Sequence, residues 1–252
     1  MINGLDLSHW DGTVVWDDVP DDYKFVFIKA TEGGYRPDPL ADQHYIGAQG
    51  RLRGFYHFWR YGVPASKQIA EFRSVTAAIE ARGGKAELPP VIDLEDFRAP
   101  KSSVIIPHIR ATLANAELAF GRKPIIYTAR WWTDEWIGDC SWLKEYPLWV
   151  ADYTAVPPAQ PNRMPKGLTN WVFWQWTDKA EIPGIAENNE DRDVFFGSLE
   201  RLYAFCGIGP VASLDERVER LEAQMTNVIA AGQAAEARIA SLEARVAALE
   251  GA

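Results

Sequence analysis

Short apolar runs, each ending in polar or charged residues, recur along roughly the first 200 positions of the chain. Gly4-Leu5-Asp6-Leu7-Ser8-His9-Trp10 opens with a short strand, and Lys24 to Gly34 repeats the design with a stronger body, Phe25-Val26-Phe27-Ile28. Arg53-Gly54-Phe55-Tyr56-His57-Phe58 is the third such unit. In the fourth, Leu88 to Phe97, the β-branched pair Val91-Ile92 follows two prolines and stops at Asp93, Glu95 and Asp96. Lys123 to Thr128, Leu148 to Tyr153, Trp171 to Trp176 and a short stretch near Asp191 to Phe195 make about eight. Helical spacing appears between the earlier strands. Ile69, Phe72, Val75, Ala78 and Ile79 mark a helix over 65–82, and a second runs over about 104–119. Short strands alternating with helices predict an α/β fold, an irregular (β/α) TIM-like barrel, where a sandwich would show short turns at even spacing. The later connections look irregular.

In such barrels chemistry gathers at the C-terminal ends of strands. Asp6, Lys29, Glu32, His57, Asp93, Glu95, Tyr127, Asp152, Gln175 and Asp191 all fall at strand ends in this parse. Residues two apart on a strand share a face, so Asp93 and Glu95 stand side by side while Leu94 turns away. Two carboxyls that close raise the proton affinity of one of them, and an acid beside a carboxylate is what glycoside hydrolysis uses. Taken alone, the segment reads equally well as a strand end with solvated acids or a structural ion pair. A ring of acids drawn from separate strands tips the balance toward a site. Carboxylates there would stabilise an oxocarbenium-like state on a neutral polysaccharide.

Composition narrows the partners. The 252 residues are 47% hydrophobic and 24% charged, as in ordinary folded proteins, and 11 Trp with 9 Tyr supply faces suited to stacking on sugars. A net charge of -9 argues against nucleic acid and anionic membrane surfaces. No apolar stretch approaches the roughly 18 residues of a membrane span, and no secretory signal is visible at the start. His9, His44, His57 and His108 lack ligand spacing, and Cys140 and Cys206 read as free buried thiols, so no metal or cofactor is expected.

Taken in order, Gly4-Leu5-Asp6-Leu7-Ser8-His9-Trp10, Phe27-Ile28-Lys29-Ala30-Thr31-Glu32-Gly33, Gly54-Phe55-Tyr56-His57-Phe58, Val91-Ile92-Asp93-Leu94-Glu95, Ile126-Tyr127-Thr128, Leu148-Trp149-Val150-Ala151-Asp152-Tyr153, Trp174-Gln175 and Asp191 with Phe195 and Gly197 resemble the motifs of glycoside hydrolase family 25 lysozymes. The resemblance covers residues 1 to about 205. It implies a cofactor-free muramidase that cleaves the β-1,4 bond between N-acetylmuramic acid and N-acetylglucosamine in bacterial peptidoglycan. By the same resemblance Glu95 is the general acid and Asp93 its partner, orienting the substrate's 2-acetamido group in a retaining reaction. Asp6 and Asp191 match the remaining acidic positions, and Tyr56, Tyr127 and Trp149 the substrate-lining aromatics. Trp174 and Gln175 are carried with the substrate-binding set. Lys29, Glu32, His57 and Asp152 serve there either as contacts or as scaffolding. Where the family often has Asp-x-Asn this chain has Asp191-Arg192-Asp193, and the spacing to Phe195 and Gly197 favours Asp191. A phage-type endolysin held in the host cytoplasm before release to the wall would fit the absent signal. A non-catalytic or virion-associated glycan-binding barrel and a hydrolase of chitin or another glycan are the alternatives.

Cys206-Gly207-Ile208-Gly209-Pro210 ends the barrel region, giving a domain over 1–205 and a linker over 206–213. From Leu214 to Leu249 apolar residues alternate spacings of four and three, a heptad pattern that predicts a coiled-coil helix over 214–250. Val218, Met225, Gly232, Ile239 and Val246 take the a positions, and Arg217 with Glu222, Arg238 with Glu243 and Arg245 with Glu250 form complementary flanks. A parallel dimer is favoured, with a trimer next and a helix folded back on the barrel as the alternative. Gly232 and Ala235 thin the seam.

Overall fold

In the computed structural model the chain divides into two compact units, Met1–Ile208 and Gly209–Ala252. The structure describes residues 1–34, 36–101, 104–186, 190–209 and 225. Apart from Met225, the heptad segment lies outside the described residues.

Among the described residues of the first unit there are nine strands: β1 (Ile2–Leu7), β2 (Tyr23–Glu32), β3 (Arg36–Pro37), β4 (Leu52–Phe58), β5 (Val91–Asp93), β6 (Ile125–Ala129), β7 (Leu148–Ala151), β8 (Phe173–Ala180) and β9 (Glu190–Phe195). Their order is β1-β9-β8-β7-β6-β5-β4-β2-β3, and β1 also pairs with β2, so eight strands close into a barrel with β3 hanging on the edge of β2. Strands β1, β2 and β4 to β8 are mutually parallel, whereas β9 runs antiparallel to both β8 and β1. This corrects one expectation. Asp191 lies at the start of its strand, not at its C-terminal end, and it reaches the common rim because the strand runs backwards.

Helices α1 (Ala41–Gly47), α2 (Ala65–Gly83), α3 (Ile105–Phe120), α4 (Arg130–Trp136) and α5 (Leu199–Cys206) connect or follow the strands. Among the described residues, α2 and α3 are the long ones, and both follow strands in the first half, as the helical periodicity predicts. α2 buries Ile69, Phe72, Thr76 and Ile79, spaced three, four and three apart, which keeps one stripe against the sheet. α3 ends at Gly121, whose φ of 65° is a left-handed cap that a side chain would resist. α5 runs through Cys206, which is buried with the interior aromatics. Gly207 caps the helix in the left-handed conformation, with φ 74°. Cys140 and Cys206 are free thiols.

Two-residue alternation along each strand sorts the core into two layers. Phe25, Phe27, Val91, Ile125, Trp149, Phe173 and Phe195 point into the barrel, while Val26, Ile28, Ile92, Ile126, Val150, Trp174 and Val194 pack outward under the helices. The interior is mostly aromatic. Phe27 stacks on Trp149 at 4.5 Å, and Phe173 meets Phe25, Phe27, Phe195 and Phe205 at 5.1–5.6 Å. Gly4 makes room for it, since a Cβ there would sit 2.3 Å from the Phe25 ring. The result is a dry floor beneath one rim.

Candidate active site

Above that floor, strand alternation brings polar side chains into the barrel mouth. Continuing inward from Gly4 are Asp6 and Ser8; from Phe25 and Phe27, Lys29; from Gly54, Tyr56 and Phe58; from Val91, Asp93 and then Glu95. Tyr127, Trp149, Gln175 and Asp191 complete the ring, together with Trp10 and Asp11 on the turn after β1. They enclose a cavity of about 330 Å³. Trp10, three-quarters exposed, stands at its edge.

Hydrogen bonds lock the walls. Gln175 donates from Nε2 to Asp6 Oδ2 at 2.7 Å, and its Oε1 accepts from the Tyr127 hydroxyl at 2.7 Å and the Tyr153 hydroxyl at 2.6 Å. Trp149 Nε1 donates to Asp193 Oδ1 at 2.8 Å. Lys29 Nζ reaches Glu32 Oε2 at 3.1 Å, and Arg60 holds both Glu32 and Asp96 at 2.6 Å. Asp96 also accepts from the Tyr61 amide at 3.0 Å, which anchors the chain next to Glu95. The Asp93 amide carbonyl is fixed by the Trp59 amide at 3.0 Å, but its carboxyl Oδ1 is buried without a hydrogen-bond partner, among the described residues.

Burial sets the electrostatics. It pushes the Glu95 carboxyl up to about 7, against the opposing charges of Lys29 and Arg60. Asp93 is raised well above the carboxylate range by burial and then by Glu95. Burial, then Asp6, lifts Asp191 to about 10; Asp6 and Asp193 are raised by burial and by their acidic neighbours. Asp193 takes one hydrogen bond, from Trp149 to Oδ1, while its Oδ2 is buried without a partner among the described residues, which disfavours its charged form. Carboxyls in a low-dielectric cup cannot all ionise at neutral pH, so the mouth holds both proton donors and carboxylates.

Of the residues expected at the site, Asp6, Lys29, Tyr56, Asp93, Glu95, Tyr127, Trp149, Gln175 and Asp191 line the cavity. His57, Asp152, Glu32 and Trp174 do not. His57, Asp152 and Trp174 have the opposite strand parity and point away from the mouth. His57 lies between Thr31 at 2.8 Å and Gln68 at 3.1 Å, and burial depresses its pKa to about 4. Asp152 accepts from the Thr154, Asn162 and Arg163 amides at 2.6–3.2 Å and so organises the loop after β7. Trp174 is fully buried and donates to the Asp152 carbonyl at 2.8 Å. Glu32 sits behind Lys29 as its ion-pair partner. Asp191 faces the cavity, and Asp193, one pleat deeper, is held beneath it by Trp149. Ser8, Trp10, Asp11, Phe58 and Tyr153 were not among the expected site residues, and Asp193 was weighed only as the rival of Asp191. For Ser8, Phe58 and Asp193 the alternation that exposed Asp6, Tyr56 and Asp191 was signal enough. Among the described residues no group of His, Cys, Asp or Glu is arranged to hold a metal ion.

The family model for glycosyl hydrolases family 25 matches residues 5–185, that is, from within β1 to just past β8. Asp191 and Asp193 lie beyond that match. Lysozyme M1 of Streptomyces globisporus is 30% identical over 216 residues, covering 81% of this chain and 70% of the relative. The crystal structure of a lysozyme from Streptomyces coelicolor superposes with a TM-score of 0.69 at 28% identity, over 81% of this chain and 96% of the other. A family GH25 lysozyme from Aspergillus fumigatus gives 0.68 at 29% identity, over 81% and 98%. The matched segment carries every barrel strand except the closing β9, the Asp93 to Glu95 stretch and all but the last wall of the acidic mouth, and this protein belongs to glycosyl hydrolases family 25.

Proposed function

We propose that the protein is a muramidase that cleaves the β-1,4 bond between N-acetylmuramic acid and N-acetylglucosamine in bacterial peptidoglycan, with Glu95 as proton donor. The observation that carries this reading is a half-buried carboxyl, pushed to about 7, on the wall of a sugar-sized cavity beside the more deeply buried Asp93. A group with that pKa is protonated often enough near neutral pH to donate and basic enough afterwards to take the proton back.

Glu95 protonates the glycosidic oxygen as the bond to the anomeric carbon breaks. Asp93, whose Oδ1 has no protein donor, accepts a hydrogen bond from the N–H of the substrate's 2-acetamido group. That bond turns the acetamido carbonyl oxygen onto the anomeric carbon, where it forms the new bond and gives a cyclic oxazolinium. Water then attacks the same carbon from the face the leaving group vacated, Glu95 accepts its proton, and configuration is retained. Asp191, which keeps its proton at neutral pH, lines the rim as a hydrogen-bonding group for the sugar, with Asp6 on the same wall and Asp193 beneath it. The Tyr127–Gln175–Asp6 chain holds that wall in place, and Tyr56 and Trp149 offer ring faces to the sugar.

Mass analysis of digested wall tests the reading: new reducing ends should be muramic acid, and Glu95→Gln should abolish their release. Reducing ends on glucosamine, or an inactive wild-type protein, would refute it. The heptad pattern of 214–250 supports a self-associating chain, with a parallel dimer expected, that brings several barrels to one wall.

A further inference from the structure

The wall that carries Lys29 and Phe58 on the mouth side carries a second cavity on its other side. It measures about 390 Å³ and is bounded by Glu32, Arg36, Arg60, Tyr61, Asp96 and Arg98. The partition is made of side chains packed back to back, Lys29 against Glu32 and Phe58 against Arg60. Lys29, in the mouth, bonds Glu32 at 3.1 Å, and the Arg60 guanidinium lies 4.1 Å from the ring centroid of Phe58, which also lines the mouth.

The charges in this cavity are unequally engaged. Arg60 is fully used: Nε and one terminal nitrogen bond Glu32 at 2.9 and 2.6 Å, and the other terminal nitrogen bonds Asp96 at 2.6 Å. With Lys29 added, both carboxylates are neutralised. Arg36 and Arg98 approach the same two carboxylates only at 3.5–3.9 Å and are 76% and 66% exposed. Their N–H groups are not committed to those acids. Two guanidinium forks in excess, on a chain of net charge -9, make a local positive shelf beside an acidic mouth. A guanidinium fork matches a carboxylate with two parallel hydrogen bonds.

The muramyl residue of peptidoglycan carries, through its lactyl group, a peptide stem with free carboxylates. We propose that Arg36 and Arg98 form a subsite for those carboxylates, so that the enzyme binds a muramyl unit by its ring in the mouth and by its stem on this shelf. The inference rests on the muramidase reading above. The plain alternative is a solvated surface charge with no ligand.

The test uses the full chain and soluble glycan strands freed of phosphate polymers by hydrofluoric acid, either bearing their peptides or stripped of them by an amidase. The double variant Arg36→Gln, Arg98→Gln should lose about tenfold in kcat/KM on peptide-bearing strands, mainly through KM, and nothing on stripped strands. Wild-type preference for peptide-bearing strands should shrink as salt rises. Charge reversal, Arg36→Glu with Arg98→Glu, should deepen the loss on the same substrate alone. Both residues are exposed, and an unchanged thermal midpoint verifies that the barrel is intact. Equal losses on both substrates, no loss on either, or a loss that appears only on walls retaining their phosphate polymers would overturn the subsite. A wild-type enzyme that cuts stripped strands but gains nothing from peptides removes the subsite and leaves the muramidase reading standing. One that cuts neither removes both.

Discussion

Replacing Glu95 with Gln keeps the shape of the side chain and removes its transferable proton. In the folded protein the carboxyl titrates at about 7, where an ordinary glutamate titrates at 4.5. At pH 7 about half of the molecules therefore hold the proton, against roughly 0.3% for the unperturbed acid, a gain of about 150-fold in the reactive form, or about 3 kcal/mol. The protonated fraction is about 0.9 at pH 6 and about 0.1 at pH 8, so wild-type kcat/KM should fall close to tenfold between those values. Glu95→Gln should lower kcat by about 10²- to 10⁴-fold and flatten that limb, because no group titrating near 7 remains in the role. The assay is release of reducing ends from soluble glycan strands over pH 5 to 9, with Michaelis parameters at each pH. Binding should survive, so KM should stay within about threefold. A Gln variant within threefold of wild type, or one that keeps a limb near pH 7, would show that another group donates the proton.

Asp191→Asn should stabilise the fold at neutral pH. With its pKa raised from 3.8 to about 10, Asp191 binds a proton in the native state that the unfolded chain releases, so native stability falls as pH climbs above 3.8; removing the acid should stabilise the fold at pH 7 by up to about 4 kcal/mol, read as a higher Tm, and leave Tm unchanged near pH 3. Equal effects at both pH values, seen by calorimetry, would contradict the burial account. Asp152→Ala should cost about 1–2 kcal/mol in urea unfolding by removing three part-buried bonds to loop amides, yet leave kcat/KM of the folded fraction within about threefold, since the residue does not face the cavity. Trp149→Phe keeps a ring for the sugar but strips Asp193 of its donor, so it should raise the proton affinity of the acidic cluster and shift the pH profile without abolishing activity. Light scattering on the full chain should give a mass of two or more chains if 214–250 self-associates; a monomer at micromolar concentration would exclude it.

The strand bodies were legible because each is a run of β-branched or aromatic residues stopped by charge, and the long helices because α2 and α3 bury stripes at helical spacing. Two-residue alternation put Asp93 and Glu95 on one face, and the acids at the ends of other strands marked that face as a site. The same alternation, applied to every strand, separates Tyr56 from His57, Trp149 from Asp152 and Gln175 from Trp174; the reading by strand ends lost that distinction because it counted distance along the strand and ignored the face. The direction of β9 was not legible. An alternating strand reads the same from either end, and its hairpin relation to β8 depends on pairing far from its own residues. Trp10 and Asp11 were missed for another reason. They sit on a short 3-10 turn capped by Ser8, where neither strand nor helix periodicity applies.

The aromatic floor has a bearing on adaptation. Phe25, Phe27 and Phe173 never meet a sugar, yet by keeping water out from below they raise the proton affinity of the carboxyls above them. A substitution that let solvent into that layer would make Glu95 a stronger acid and move the useful range of the enzyme toward acidic surroundings, with every side chain that touches glycan unchanged. Lineages facing walls of different acidity can thus be retuned from underneath, through hydrocarbon alone.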